Sequence, residues 1–70
     1  MKKFKNYVTE KEIEVLELLV QGKTNDEIAK AICVSKSTVK AHIKSLYKKF
    51  CTKNRVETAI KAIKLEFVEI

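Results

Sequence analysis

The chain has 70 residues, with 15 Lys and Arg against 9 Asp and Glu, and a net charge of +6 with its single histidine neutral. That length holds one domain, near the lower limit for a core without staples. No apolar run approaches membrane-spanning length, and the basic start Met1-Lys2-Lys3-Phe4-Lys5 leads into no apolar segment of the kind a secretory signal needs. A soluble cytoplasmic protein is expected, with no membrane partner, low-complexity segment, linker or internal repeat.

There is no proline, the one glycine is Gly22, and apolar residues recur at helical spacing. The chain therefore reads as all-α, a four-helix bundle containing a helix-turn-helix. Residues 1–7 form a basic amino-terminal arm, 8–68 the folded domain and 69–70 the carboxyl-terminal end. Thr9-Glu10-Lys11-Glu12 is a capping box that opens a helix over about 10–21, with Val8 and Ile13 as its hydrophobic staple. Gly22 ends that helix, since it can take the left-handed conformation beyond the last turn. Thr24-Asn25-Asp26-Glu27 is a second box and opens a helix over about 25–32. Ser35, stapled by Val34 and Val39, caps a third over about 36–50. Asn54-Arg55-Val56-Glu57 opens a fourth over about 55–66. The apolar faces are Ile13/Leu16/Leu19/Val20, Ile28/Ala29/Ile32, Val39/Ile43/Leu46/Phe50 and Val56/Ile60/Ile63/Phe67, all at 3- and 4-residue spacing. A short helix, a turn at Cys33-Val34 and a long helix make the helix-turn-helix arrangement.

Charge is segregated along the chain. Glu10, Glu12, Glu14 and Glu17 face only Lys11 on the first helix, whereas no acid occurs from Ile28 to Val56. That interval carries Lys30, Lys36, Lys40, Lys44, Lys48, Lys49, Lys53 and Arg55. Lys36, Lys40, Lys44 and Lys48 recur every fourth residue, and like charges at that spacing oppose helix formation by roughly a few tenths of a kcal/mol per pair. An external polyanion would turn the repulsion into attraction, and nucleic acid is the obvious one. The competing reading is a plain solvated lysine face, but such faces usually interleave acids.

At about 100° per residue, Val39, Ile43, Leu46 and Phe50 cluster on one side of the third helix, and Ser37, Lys40, Ala41, Lys44 and Lys48 on the opposite side. Long cations suit guanine edges or phosphates, and a small alanine lets the backbone approach a thymine methyl. Ser35, Ser37 and Thr38 add hydroxyls and first-turn amides suited to phosphate oxygens. His42, bordering the buried face, reads as a structural hydrogen bonder, and Tyr47 as a core-edge residue. On the fourth helix, Thr58, Ala62 and Leu65 fall opposite the expected core face, as a small apolar strip suited to a weak homodimer.

Catalysis lacks its parts: there is one histidine, no nucleophile–base cluster and no Gly-rich phosphate loop. No enzyme activity, cofactor or small-molecule ligand is expected. Cys33 and Cys51 flank a helix roughly 24 Å long, too far apart for a disulfide or a shared zinc ion, so both read as free thiols.

Thr9-Glu10-Lys11-Glu12 with Val15-Leu16 and Gly22, then Thr24-Asn25-Asp26-Glu27-Ile28-Ala29, resembles the first half of a LuxR-type helix-turn-helix domain. Ser35-Lys36-Ser37-Thr38-Val39-Lys40-Ala41-His42-Ile43 resembles the second half, followed by Lys49-Phe50, Asn54-Arg55 and Ala59. The resemblance covers residues 8–68 and implies a bacterial, sequence-specific double-stranded DNA-binding transcription regulator. Its third helix would enter the major groove, and its fourth would mediate dimerisation on DNA. At matching positions it implies base contacts by Lys40, Ala41 and Lys44 and backbone contacts by Asn25, Ser35, Ser37, Thr38 and Lys48. Glu12 and Arg55 match structural positions that brace the first and fourth helices.

The chain departs from the family pattern in four places. Lys11 stands where the family usually has Arg, Cys51 and Glu66 stand where Gly is frequent, and Thr52 stands where an aliphatic residue is common. Many members attach the module to a phosphoacceptor receiver or a ligand-binding domain. These 70 residues hold neither, as in a stand-alone member or an excised output domain. The rival functions are a basic helical adaptor that docks on an acidic protein, with RNA polymerase a candidate partner, and a sigma-factor-like promoter-reading domain. The resemblance disfavours the second, because sigma domains lack the Asn-x-Glu-Ile-Ala and His42-centred patterns.

Overall fold

Each helix begins where a side-chain oxygen takes over an amide that the helix itself leaves without a partner. In the computed structural model, which describes residues 7–68, the helices are α1 (Glu10–Val20), α2 (Asn25–Ile32), α3 (Lys36–Phe50) and α4 (Arg55–Lys64). Of the arm expected at 1–7 only Tyr7 is described, and the end at 69–70 lies outside the described residues. Both threonine capping boxes are complete. The Glu12 and Glu27 amides donate to Thr9 Oγ1 and Thr24 Oγ1, and each glutamate accepts the cap's own amide in return. Ser35 Oγ accepts from the Thr38 amide and Asn54 Oδ1 from the Glu57 amide. The Asn54 box is only half made, because the Glu57 carboxylate accepts from the Lys53 amide instead.

The four helix ends share one geometry. Gly22, Cys33, Cys51 and Glu66 all have left-handed backbone, with φ of 84°, 59°, 56° and 61°. One residue further on, the amides of Lys23, Val34, Thr52 and Phe67 donate back to the carbonyls of Leu18, Ala29, Tyr47 and Ala62. Only Gly22 adopts this conformation without steric cost; each of the other three carries a penalty of about 1–2 kcal/mol. Glu66 also shortens α4, which ends at Lys64 rather than near 66, and the turn brings Phe67 and Val68 back onto the core. The Phe67 ring meets the Phe50 ring at 5.2 Å.

The core is built from Val8, Val15, Leu16, Leu19, Ile28, Ala29, Val39, Ile43, Leu46, Phe50, Ala62 and Val68. Helix α3 packs against all three others, and α1 also meets α2 and α4. The stripe expected on α3 is buried as anticipated, but α4 is turned about its axis relative to the expectation. Thr58 and Ala62, expected outside, are 0 % exposed, while Val56 and Ile60, expected inside, are 68 % and 48 % exposed. Leu65 is half-buried at the end of the helix. Size explains the correction: Thr58 and Ala62 let α4 approach the other helices closely, and Phe67 and Val68 supply bulk from beyond its end. The Thr58 hydroxyl loses nothing by burial, since it donates to the Asn54 carbonyl at 2.8 Å and accepts from Thr52 Oγ1 at 2.6 Å. Lys61 Nζ, donating to the Phe50 carbonyl at 2.8 Å, holds α4 to the end of α3 in the same rotation.

Ala62→Glu would force an unpaired charge into this core and should lower stability by at least about 3 kcal/mol. Val56→Glu, in the exposed first turn of α4, should stay within about 0.5 kcal/mol of the parent. Urea unfolding of the two variants checks the rotation of α4 directly.

Candidate nucleic-acid interface

Burial of Val39, Ile43, Leu46 and Phe50 fixes which side of α3 faces water, and that side carries Lys36, Ser37, Lys40, Ala41, Lys44 and Lys48, all exposed. None of these four lysines makes an ion pair among the described residues, where the pairs are Lys11–Glu14, Lys30–Asp26 and Lys49–Glu12. Lys40, Ala41 and Lys44 are therefore together on one open surface, with Lys48 one turn further along. Tyr47 is half-buried beside them at the core edge, as expected, and lines the same surface groove as Ala41, Lys44, Ser45 and Lys48.

The amino-terminal end of α3 adds hydroxyl groups. Ser35 Oγ and Thr38 Oγ1 are 3.0 Å apart and share one hydrogen bond, while Ser35 Oγ also accepts the Thr38 amide. Two hydroxyls with one bond between them leave one O–H proton free to donate to an anion. Ser37 is exposed alongside.

Asn25, at the start of α2, is half-buried and fixed from behind. Arg55 Nη1 donates to its Oδ1 at 2.6 Å, and Arg55 Nη2 donates to the Lys23 carbonyl at 2.6 Å. With its oxygen turned to Arg55, Asn25 keeps its amide protons to offer a further ligand. Arg55 thereby ties α4 to the turn that begins the helix-turn-helix, which is the bracing role its position implied.

Lys49 belongs to the cationic run in sequence but not to the open surface. Its Nζ donates to Glu12 Oε1 at 2.7 Å and lies 4.9 Å from the centre of the Tyr7 ring. The other Glu12 oxygen accepts from Ser45 Oγ at 2.7 Å, and Oε1 also accepts from the Thr9 amide. Glu12 is only 4 % exposed. Burial pushes its carboxyl up, but the Lys49 hydrogen bond, the Thr9 amide, the Ser45 hydroxyl and the Lys49 charge together outweigh burial. The net position is below the ordinary carboxylate value. Glu27 is likewise lowered, chiefly by the Thr24 amide. The pairing of Glu12 with α3 is not visible in the sequence.

The dimer strip expected at Thr58, Ala62 and Leu65 is not a surface, since the first two are in the core. The outer apolar face of α4 is instead Val56 and Ile60, beside half-buried Ala59 and Ile63. Cys33 and Cys51 are free and exposed. Among the described residues no His, Cys, Asp and Glu group is placed to hold a metal, and no helix is long and apolar enough to cross a membrane.

Comparison with known proteins places these features in context. Residues 6–62 match the family described as bacterial regulatory proteins, luxR family. The spore germination protein GerE of Bacillus subtilis (strain 168) is 36% identical over 66 residues, which cover 94% of this chain and 89% of that protein. The nitrate/nitrite response regulator protein NarL of Escherichia coli (strain K12) is 42% identical over 55 residues, covering 79% of this chain but 26% of NarL. The chain thus spans about a quarter of NarL's length and most of GerE's. A solved structure of the transcription factor GerE superposes with a TM-score of 0.82 over 87% of this chain and 91% of that one, at 24% identity, a likeness of fold.

Because the Glu12 carboxyl titrates lower in the folded chain than in the unfolded one, its stabilising contribution is present above the unfolded value and lost as pH falls through the folded one. Glu12→Gln should therefore be less stable than the parent at neutral pH, and the gap should narrow as pH drops below about 4.3. Thermal unfolding between about pH 6 and pH 3 reads both effects.

Proposed function

The chain belongs to the luxR family of bacterial regulatory proteins, and on that premise we propose that it binds double-stranded DNA in a sequence-dependent way and regulates transcription in the cytoplasm. The observation that carries the proposal is the ridge of Lys36, Lys40, Lys44 and Lys48, exposed and without an ion-pair partner among the described residues, which starts beside the buried stripe of α3 at Lys36 and winds away from it through Lys44 and Lys48. A helix about 10–12 Å across with its side chains fits the major groove, roughly 12 Å wide. With α3 in that groove, Lys40, Ala41 and Lys44 meet base edges and Lys48 a phosphate. The free hydroxyl proton of the Ser35/Thr38 pair, Ser37 and the Asn25 amide protons meet phosphates at the groove's rim.

Pairing of two copies on DNA is supported by the outer face of α4, where Val56 and Ile60 stand exposed. Two side chains and their half-buried neighbours make a strip far smaller than the ~1,000 Å² of a stable interface. The protein is thus monomeric in dilute solution and pairs where two adjacent half-sites raise the effective concentration. Two-fold pairing requires an inverted-repeat target.

Titration of duplex DNA against salt tests the binding mode. Neutralising about five phosphates gives a log–log slope of about −4 to −5 per monomer, and Lys48→Ala should reduce it by about one on all sequences. Lys44→Ala should cost about 1–3 kcal/mol on the best duplex selected from a random pool and less on random DNA. A slope near zero, or a Lys40/Lys44/Lys48 triple alanine that binds as the parent does, rules out the proposal.

Ile60→Glu tests the pairing. It should abolish cooperative filling of an inverted repeat while leaving half-site affinity nearly unchanged. Persisting cooperativity would exclude this face of α4.

A further inference from the structure

We infer that Glu12, remote from the exposed face of α3, is a positioning residue for DNA sequence discrimination: it sets how far α3 is rolled about its axis and therefore which atoms meet the bases. The inference rests on the DNA-binding reading above. Its basis is the arrangement of bonds around one buried carboxylate. Glu12 accepts from Ser45 Oγ through one oxygen and from Lys49 Nζ through the other, both at 2.7 Å. Ser45 and Lys49 are one turn apart on α3, at about 100° and 140° around the helix from Lys44. The carboxylate therefore grips two successive turns on the flank between the lysine ridge and the apolar stripe. Its own position is fixed by the capping box, in which the Thr9 amide donates to Oε1 and the Glu12 amide donates to Thr9 Oγ1. The Lys49 ammonium also lies over the Tyr7 ring, 4.9 Å from its centre.

The remaining contacts that hold α3 are less able to do this: the Lys61 bond to the Phe50 carbonyl meets the helix only at its last residue, and the others are apolar. Val39, Ile43, Leu46 and Phe50 are buried apolar groups, and apolar packing loses uniqueness before it loses stability. Hydrogen bonds are directional and fall off steeply with angle. A roll of about 20° displaces atoms at the outer radius of a helix by about 2 Å. Base-edge recognition needs placement within roughly 0.5 Å and 10–20°, so such a roll costs discrimination. Phosphate attraction is long-ranged and tolerates it. Loss of the Glu12 clamp should thus separate two quantities that ordinary destabilisation would move together.

The test compares the parent with Glu12→Gln and Ser45→Ala at a temperature at which circular dichroism shows each protein fully folded. The probes are the best duplex that the parent selects from a random pool and a random-sequence duplex. For Glu12→Gln the ratio of the two affinities should fall at least about 5-fold with no loss of salt slope, and Ser45→Ala should change the ratio in the same direction by about 2-fold. An unchanged ratio in both variants, even with lowered melting temperatures, overturns the inference and leaves Glu12 as a support of the fold alone. If Glu12→Gln does not fold, Ser45→Ala decides by the same criterion. A parent that shows no preference between the duplexes removes the DNA-reading premise itself, a result distinct from a discriminating parent whose variants discriminate equally well.

Discussion

Helix α3 can present cations on one side only because Val39, Ile43, Leu46 and Phe50 are taken out of water on the other. Those four side chains are buried against α1, α2 and α4, so nearly every other placement in the domain is measured from them. At roughly 1.5–3 kcal/mol for each large apolar side chain buried, this stripe outweighs the lysine repulsion of a few tenths of a kcal/mol per pair along the opposite face. The helix therefore forms with these like charges unpaired among the described residues.

Charge is handled differently on the two sides of the helix. Lys49 would add to the repulsion, yet it is withdrawn to Glu12, where the carboxylate's burial is compensated by three donors, two from α3 and one from its own cap. Removing one partner from such a pair is more damaging than never having it, because the other charge stays behind in a poorly solvated place. Lys36, Lys40, Lys44 and Lys48 have no such partner among the described residues and remain in water. One helix thus carries a cation used to hold the fold and four that are open to an external anion.

Left-handed caps compress the connections. Three short turns of one design join the four helices of the described residues and a fourth follows α4, but three of these four turns place Cys33, Cys51 or Glu66 where glycine fits without strain. The return of Phe67 and Val68 to the core depends on the last of these, and with it the possibility that α4 buries only small residues such as Thr58 and Ala62. Fold and surface meet there: the same rotation that buries Thr58 exposes Val56 and Ile60.

The amino-acid sequence by itself determined where the helices begin, because Thr9, Thr24, Ser35 and Asn54 act on amides three residues away and need nothing more distant. It also determined the polarity of α3, whose apolar stripe and lysine ridge are too strongly segregated to be turned around. On α4 the pattern was ambiguous. Val56, Ile60 and Ile63 made the larger apolar set, but hydrophobicity says nothing about how close two helix axes can come, and close approach favoured Thr58 and Ala62. The bonds from Glu12 to Ser45 and Lys49 cross 33 and 37 residues, and that from Arg55 to Asn25 crosses 30. No local preference encodes such pairings. Only the packed helices bring those groups within hydrogen-bond distance, so the tertiary structure alone decided which lysine would be withdrawn and which side chain would bind it to α1.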